Sequence, residues 1–482
     1  MSLVNDLMLP ILMVGILLMA TLAAYAPVSV RLIRRLGSTF IAIASGLAIY
    51  IAWPGFTQPH IFGPWSLWYV DGVSSMLMVL VAMIGLSSVL ITQGHWTREP
   101  ASQMHSTGHN KHCYTLTPLL LAALYVVVLS NNLGVMWLAF GLAALTTTML
   151  VANQRQLSAL AAARRYGLTY ALGLSLALIG MLLMTYAVEL NDVNSWLLLS
   201  NFREMAITQA LNNELIKWAF VFLFVGFGTL VGFVPMHAWV ADVQREAPAP
   251  LAAILSSVIL SVALVSLLRF YQVVNLALMD EGMWTGRFFL VFGCLSVVFS
   301  AMILGLQNNY KRLLAYSSSV HLGLTAFAIG LGPAGLIPAV MHIPGHALLM
   351  SALFIGTDET YKGHKSAVLI LLTVLLLLAV PPSALFTSQL LIIGLGLGQH
   401  LVLTILVLLS LTIGYVSLLR YAYNLLFGIG RNANLNVAGQ PMSTVHVVMT
   451  MHIALVVALG IFYLTPSGLE FMVQISDSLR AV

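Results

Sequence analysis

Apolar runs long enough to cross a membrane recur along the whole chain. A helix needs about 20 consecutive apolar residues to span the hydrocarbon core of a bilayer. Only 7% of the 482 residues are charged, whereas soluble proteins carry roughly 25%. The sequence predicts an all-α polytopic membrane protein, a single integral membrane domain over residues 1–482 with about 14 transmembrane helices. The predicted spans lie near 5–26, 38–54, 72–93, 115–131, 133–152, 166–187, 217–240, 250–275, 286–306, 313–331, 334–357, 366–397, 401–426 and 444–465.

Basic residues are distributed unevenly between the predicted loops. If the N-terminus lies outside, the loops after every odd-numbered span are cytoplasmic, and they hold 15 of the 20 Lys and Arg residues. This bias satisfies the positive-inside rule. It also explains the net charge of +5 without a nucleic-acid partner. We expect a multi-pass protein in the lipid bilayer of a bacterial cell inner membrane, with both termini in the periplasm.

Two of the predicted helices are interrupted by proline. Pro235 interrupts span 7 within residues 226–250, and Pro381 and Pro382 interrupt span 12. In lipid, a broken helix persists only where protein or a water-lined cavity satisfies the freed backbone groups, and transporters place ion paths at such breaks. Because the two broken helices are five spans apart, five-helix units around them would run in opposite directions. The pattern predicts N-terminal helices 1–3 in residues 1–114, a first five-helix repeat over 115–275, an inverted second repeat over 286–426 and a last helix at 444–465.

The sequence lacks the usual motifs of a bound metal, cofactor or catalytic site. Its two cysteines, Cys113 and Cys294, form no C-x-x-C motif, which argues against an iron–sulfur cluster or haem. The stretch 94–115 is rich in histidine, but the spacing fits no standard zinc pattern, and we interpret it as a polar cytoplasmic loop. Catalytic triads, paired carboxylates and phosphate-binding loops are absent as spaced motifs. We expect no catalytic residue, cofactor or metal in this chain.

A few ionisable side chains lie at or near membrane depth. Such groups are costly in lipid and are therefore candidates for function. His342 and His346 are spaced i, i+4 and share one helix face, and imidazole rings transfer protons near neutral pH. A buried histidine is also often a hydrogen-bonded structural residue, so both interpretations stay open for this pair. His237 and His321 lie at similar depth.

Five stretches resemble the signatures of the proton-translocating antiporter-like subunits. This family is shared by respiratory complex I, Mrp antiporters and energy-converting hydrogenases, and the chain is most similar to its hydrogenase-4 component F branch. The family fold has fourteen helices and two inverted five-helix repeats, in agreement with the topology above. The matching stretches are VLSNNLGVMWLAFGLAAL at 128–145, GFGTLVGFVPMHAWVADVQREAPAP at 226–250, QNNYKRLLAYSSSVHLGL at 307–324, MHIPGHALLMSALF at 341–354 and VPPSALFTSQLL at 380–391.

The resemblance also implies which residues form the proton path. Residues that match retained family positions are Lys311 as the central relay, His342 and His346 as further carriers, and His237 and Asp242 in the first signature, with His321 a further candidate. The family usually has a charged lysine or glutamate at four other positions, which here are Gly141, Leu230, Met350 and Gln389. A Glu–Lys pair in a low dielectric shifts the pKa of both partners and couples proton movement to distant events. Gly141 and Leu230 cannot do this, so the resemblance implies a degenerate charged path.

These observations lead to a leading function and two alternatives. We expect a non-catalytic membrane-arm subunit of an oxidoreductase complex, either hydrogenase-like or of the NADH:quinone oxidoreductase type, with other membrane subunits as partners. The first alternative is a proton-path subunit of an inorganic-carbon uptake system that pairs with a soluble zinc protein. The second is a stand-alone cation/proton antiporter, which the missing membrane carboxylate and lysine disfavour.

Overall fold

The structure is a computed structural model of an almost entirely helical chain. It describes residues 2–25, 29–96, 107–154, 156–188, 197–279, 284–356, 364–427, 444–477 and 479. The first half contains α1 (Ser2–Ala23), α2 (Val30–Gly55), the strands β1 (His60–Phe62) and β2 (Trp68–Val70), α3 (Gly72–Trp96), α4 (Thr107–Leu129), α5 (Leu133–Ala152), α6 (Leu157–Tyr186), α7 (Leu199–Ile207), α8 (Asn213–Val231), α9 (Ala238–Glu246), α10 (Ala249–Ile254) and α11 (Leu260–Leu278).

The second half begins after α11. It contains α12 (Trp284–Gly305), α13 (Tyr310–Gly330), α14 (Pro333–Gly356), α15 (His364–Leu377), α16 (Ala384–Gln399), α17 (Leu401–Phe427), α18 (Thr444–Tyr463) and α19 (Pro466–Asp477). A π-helical turn, Leu255–Ile259, joins α10 to α11 into one continuous rod. The strands β1 and β2 pair as an antiparallel hairpin between α2 and α3.

The predicted all-α membrane fold is confirmed. Within the described ranges, eleven helices are long and apolar enough to cross a membrane, and four shorter apolar helices accompany them. Two of those four are α15 and α16, which are the halves of the interrupted span 12. The exact count of fourteen spans and the inverted repeats stay predictions. The membrane-length windows of the α10–α11 rod and of α14 are 100% buried inside the protein, so these helices form the centre of the molecule.

Contacts between loops agree with the predicted alternation of the spans. At one end, the Asn131 side-chain amide, after α4, donates to the Ser66 carbonyl of the hairpin and to the Ser200 hydroxyl after α6. At the other end, Ser158 in the first turn of α6 donates to the carboxylate of Glu246, the last residue of α9, at 2.9 Å. The segments after predicted spans 2, 4 and 6 therefore meet at one end, and the segments after predicted spans 5 and 7 meet at the other.

The first helix break begins earlier than the proline predicts. α8 ends at Val231 because Gly232 takes a left-handed conformation (φ +83°), which glycine adopts without a steric penalty. The protein then satisfies the freed backbone groups: the Trp239 indole donates to the Thr229 carbonyl at 2.9 Å, and the Val234 N–H donates to Ser296 at 3.0 Å. Pro235 follows within the break, where it has no N–H to donate to a helical carbonyl, and the helix resumes at Ala238.

The second break has its own capping residue. α15 ends at Leu377 and α16 starts at Ala384, with Pro381 and Pro382 between them. The Ser383 hydroxyl donates to the Leu376 carbonyl at 2.6 Å and accepts from the Leu385 N–H at 3.2 Å. One serine therefore closes the end of one half-helix and caps the start of the other.

Candidate functional site

Three histidines meet in the centre of the protein. α14 presents His342 and His346 on the face that packs against α13, and α13 contributes His321. All three side chains are at most 1% exposed. His321 Nδ1 and His342 Nε2 are joined by a hydrogen bond of 3.1 Å, and the His321 and His346 ring centroids lie 5.3 Å apart. We call these three residues the histidine cluster.

A chain of polar side chains continues from the histidine cluster into the second broken helix. His342 Nδ1 is hydrogen-bonded to the Ser388 hydroxyl of α16 at 3.0 Å. The next residue, Gln389, accepts a 2.5 Å hydrogen bond from the Tyr415 hydroxyl of α17. We call the histidine cluster together with Ser388, Gln389 and Tyr415 the polar axis. It crosses four helices. Ser388 lies in the matching stretch 380–391 without having been singled out there, and Tyr415 lies outside every matching stretch.

The geometry of the histidine cluster suits proton transfer and disfavours metal binding. A neutral imidazole donates from one ring nitrogen and accepts at the other, so hydrogen-bonded rings pass a proton by exchanging tautomers. Both ring nitrogens of His342 are engaged in hydrogen bonds, to His321 and to Ser388, so neither is left to bind a metal ion. Within the described ranges, no three His, Cys, Asp or Glu residues are placed to hold a metal ion. The side chains of 93–112, most of the histidine-rich stretch, lie outside those described.

Lys311 lies at the far end of α13 from the histidine cluster. Its ammonium donates to the Ala247 carbonyl, at the C-terminus of α9, at 3.0 Å. Ten residues separate it from His321, which corresponds to about 15 Å of helix rise. Polar groups lie between the two. Ser317 on α13 and Gln244 on α9 are buried, and their side-chain polar atoms have no hydrogen-bond partner. The helices α9 and α13 pack together, and Ser317 lies between Lys311 and His321 along α13.

Asp242 and His237 lie on the first broken helix, outside the histidine cluster. Asp242 forms ion pairs with Arg165 of α6, at 2.8 Å, and with Arg312 of α13, at 3.4 Å. It thereby attaches α9 to both neighbouring helices. The His237 ring is half-buried and faces Tyr316 with the ring centroids 6.2 Å apart. Asp242 thus contacts both α6 and α13, and His237 contacts α13.

The four positions predicted to have lost a charge differ in their surroundings. Gly141 is half-buried, and a Cβ atom there would meet no other atom within 4 Å. Leu230 and Met350 are both 0% exposed and belong to the apolar core. Gln389 is buried and joins the polar axis through Tyr415. Three of the four positions therefore lack any group that can take up a proton or relay one.

A buried ion pair that the sequence patterns did not indicate lies at the hairpin end of the molecule. The Arg269 guanidinium of α11 is 3.8 Å from the Asp71 carboxylate, and the two side chains are 4% and 2% exposed. Arg269 also donates to the Val128 carbonyl at 3.1 Å and to the Ser74 hydroxyl of α3. Burial beside the Asp71 carboxylate raises the pKa of Tyr69, in β2, to about 12. This cluster joins α3, α4, α11 and the hairpin.

Comparison with known proteins agrees with this architecture. Residues 130–367 match the family described as the transmembrane region of NADH:quinone oxidoreductase and the Mrp antiporter. A chain in the structure of the membrane-bound sulfane sulfur reductase, an archaeal respiratory membrane complex, superposes with a TM-score of 0.81 at 18% identity, covering 99% of this chain and 97% of that one. A chain of the Mrp complex from Dietzia sp. DQ12-45-1b superposes with a TM-score of 0.78 at 15% identity, covering 98% and 97%. The chain is an antiporter-like membrane subunit.

Sequence similarity relates the chain to one branch of these antiporter-like subunits. It is 27% identical to the hydrogenase-4 component F homolog of Methylacidiphilum infernorum (isolate V4) over 434 residues, which is 86% of this chain and 90% of that protein. The chain is thus homologous to hydrogenase-4 component F, and the resemblance inferred from its motifs is confirmed.

Proposed function

We propose that this chain is a membrane subunit of a multi-subunit redox or hydrogenase-like complex, in which the polar axis conducts protons. The observation that carries this proposal is the histidine cluster. Its His321–His342 hydrogen bond and the His342–Ser388 hydrogen bond form a continuous relay from α13 through α14 to α16, and the membrane-length window of α14 is 100% buried. Ionisable groups at this depth are costly and are seldom kept without a use.

The proposal includes conduction without tight coupling. A gate that couples proton movement to a distant event needs charged partners whose pKa values respond to one another. Leu230 and Met350 are apolar and fully buried, and Gly141 has no side chain. The hydrogen-bonded histidines provide a route for protons, while the charged groups that would drive them in one direction are missing from these three positions.

The polar axis suits a proton better than a sodium ion. Hard cations are held by several oxygen ligands, usually including a carboxylate. Within the described ranges, the one carboxylate that is nearly fully buried is Asp71, and the Arg269 guanidinium neutralises it at the hairpin end. The polar axis itself offers imidazole, hydroxyl and amide groups. This argues against the stand-alone cation antiporter.

Proton flux through the purified full-length chain tests the conduction. Vesicles containing a trapped pH-sensitive dye would be energised with a potassium gradient and valinomycin. We expect His342→Gln and His346→Gln to lower proton influx roughly tenfold, a modest figure for removing a positioned proton-transfer group. Lys311→Ala should also lower it. His400→Gln is the matched control, because His400 lies between α16 and α17, outside the histidine cluster. Wild-type flux in both histidine variants would refute the relay and favour a scaffold role.

Purification of the tagged chain from its native membrane in mild detergent tests the assignment to a complex. We expect other membrane subunits and hydrogenase-like redox subunits to co-purify. Recovery with a soluble zinc protein alone would support the inorganic-carbon alternative, and recovery of the chain by itself would contradict both.

The orientation in the membrane is part of the same proposal. The bias of basic residues supports placing the Arg165–Asp242 end in the cytoplasm and the hairpin end in the periplasm of a bacterial inner membrane. α19 lies at the hairpin end, where the Gln474 amide donates to the Thr57 carbonyl. A cysteine introduced at exposed Trp65 should react with an impermeant thiol reagent in intact cells. Reaction only after permeabilisation would reverse the proposed orientation.

A further inference from the structure

One fully buried histidine lies outside the polar axis. His452 belongs to α18, is 0% exposed, and its Nε2 is hydrogen-bonded to the Ser87 hydroxyl of α3 at 3.0 Å. The backbone of Leu348, on α14, also lies near the ring, whose Nδ1 has no hydrogen-bond partner. The imidazole is therefore positioned between three helices, one of which carries His342 and His346.

His452 packs against α14 at a turn that lies between two buried polar side chains of that helix. Leu348 is two residues past His346, whose Nε2 has no hydrogen-bond partner, and three residues before Ser351, whose buried hydroxyl also has none. His346 and Ser351 are about 7.5 Å apart along the helix. Met350 lies within this interval and is apolar and fully buried. The titratable side chain beside this turn of α14 is instead His452 of α18.

Polar groups continue from His452 along α3. Ser88 follows Ser87 directly, and its hydroxyl donates to the Pro250 carbonyl at the start of α10, at 3.0 Å. Pro250 is three residues after Ala247, the residue whose carbonyl accepts from Lys311. Both serines are 1% exposed. Buried polar side chains are thus placed on α14, α18 and α3, and Ser88 contacts the segment that begins near the Lys311 contact.

We propose that His452 and Ser87 form a side branch of the polar axis, which carries protons between the His346 turn of α14 and α3. In each transfer the imidazole gains a proton at one ring nitrogen and releases one from the other, so its net protonation is unchanged. The serine hydroxyl accepts and donates in the same way. This inference rests on the proposed proton conduction and assigns its second route to residues outside the predicted repeats.

The alternative role for His452 is a hydrogen-bonded link between helices, and conservative variants separate the two roles. Glutamine can keep a hydrogen bond to Ser87 but cannot exchange protons at neutral pH. Threonine at position 87 keeps the hydroxyl, and alanine removes it. His446→Gln is the matched control, because His446 is on the same helix and only half-buried.

The experiment is the vesicle assay with the full-length chain, accompanied by thermal unfolding of each variant. We expect His452→Gln and Ser87→Ala to lower proton influx several-fold at an unchanged unfolding temperature, Ser87→Thr to retain it, and His446→Gln to match the wild type. Wild-type influx in His452→Gln, or a loss that only follows a lower unfolding temperature, would overturn the side branch. If His342→Gln abolishes influx while His452→Gln does not, the side branch alone is wrong. Wild-type influx no higher than in protein-free vesicles would overturn the conduction and the side branch together.

Discussion

Replacing Arg269 with methionine would leave the Asp71 carboxylate buried without its counter-charge. Arg269 makes a 3.8 Å ion pair with Asp71 and donates to Ser74 and to the carbonyls of Val128 and Ser130. Breaking a buried pair from one side costs about 3–5 kcal/mol, because the remaining charge stays desolvated. We therefore expect Arg269→Met to lower the free energy of unfolding by about 4 kcal/mol.

A double-mutant cycle separates this effect from the simple loss of packing. Asp71→Leu combined with Arg269→Met removes both charges, and replacing a buried pair with apolar residues is often nearly neutral. The double variant should therefore be more stable than Arg269→Met alone. Glu214→Ala is the control, since its pair with Lys217 at 3.4 Å is mostly exposed on the glutamate side and should contribute less than about 1 kcal/mol.

The measurement is unfolding of the purified chain by titration with a denaturing detergent. Interaction energies of residues in contact are on the order of 0.5–3 kcal/mol, whereas independent sites add. If the losses of unfolding free energy in the two single variants sum to the loss in the double variant, Asp71 and Arg269 do not stabilise each other. The assignment of this cluster as an ion pair in a low dielectric is then refuted.

Three further predictions concern the path residues and their supports. Leu230→Lys should lower the unfolding free energy by about 3 kcal/mol, because it places a charge in the core. Leu230→Met should lower it by less than about 1.5 kcal/mol. Equal losses for the two variants in a detergent titration would contradict the placement of Leu230 in the apolar core. Ser388→Ala should lower proton influx in vesicles and cost about 1 kcal/mol, since His342 loses one hydrogen bond; unchanged influx would remove Ser388 from the relay. Arg165→Ala should change the unfolding free energy by at most about 0.5 kcal/mol, because the arginine side chain is 69% exposed. Asp242→Ala should lower the unfolding free energy more, because it leaves two arginines unpaired. A larger loss in Arg165→Ala than in Asp242→Ala would contradict the attachment of α9 through Asp242.

The all-helical membrane fold and its two helix breaks were predictable from the sequence because hydropathy and proline act locally. The two breaks follow from Pro235 and from Pro381–Pro382, although Gly232 ends α8 before the first proline. The hairpin of β1 and β2 was not predicted, because its strands have only three residues each. α6 begins at Leu157 rather than near 166. Its first turns contain basic residues and precede the apolar run from which the span was predicted.

The candidate site was predictable only where its residues share one helix. The spacing of His342 and His346 placed them together on a face of α14. The hydrogen bond from His342 to Ser388 joins residues 46 positions apart, and the bond between His452 and Ser87 joins residues 365 positions apart. Such contacts depend on how helices pack, which hydropathy and periodicity do not encode. Asp242 illustrates the same limit, because its two arginines come from different helices.

The attachment of α9 has a mechanical consequence. This nine-residue helix is held on one side by Arg165 of α6 and on the other by Arg312 of α13. It therefore links α6 to α13, the helix that carries His321, through two ion pairs that meet at Asp242. We expect a displacement of α9 imposed by a neighbouring subunit to reach α13 mainly through the less exposed Arg312 pair, and so to bear on the spacing of His321 and His342 without any change of charge along the polar axis.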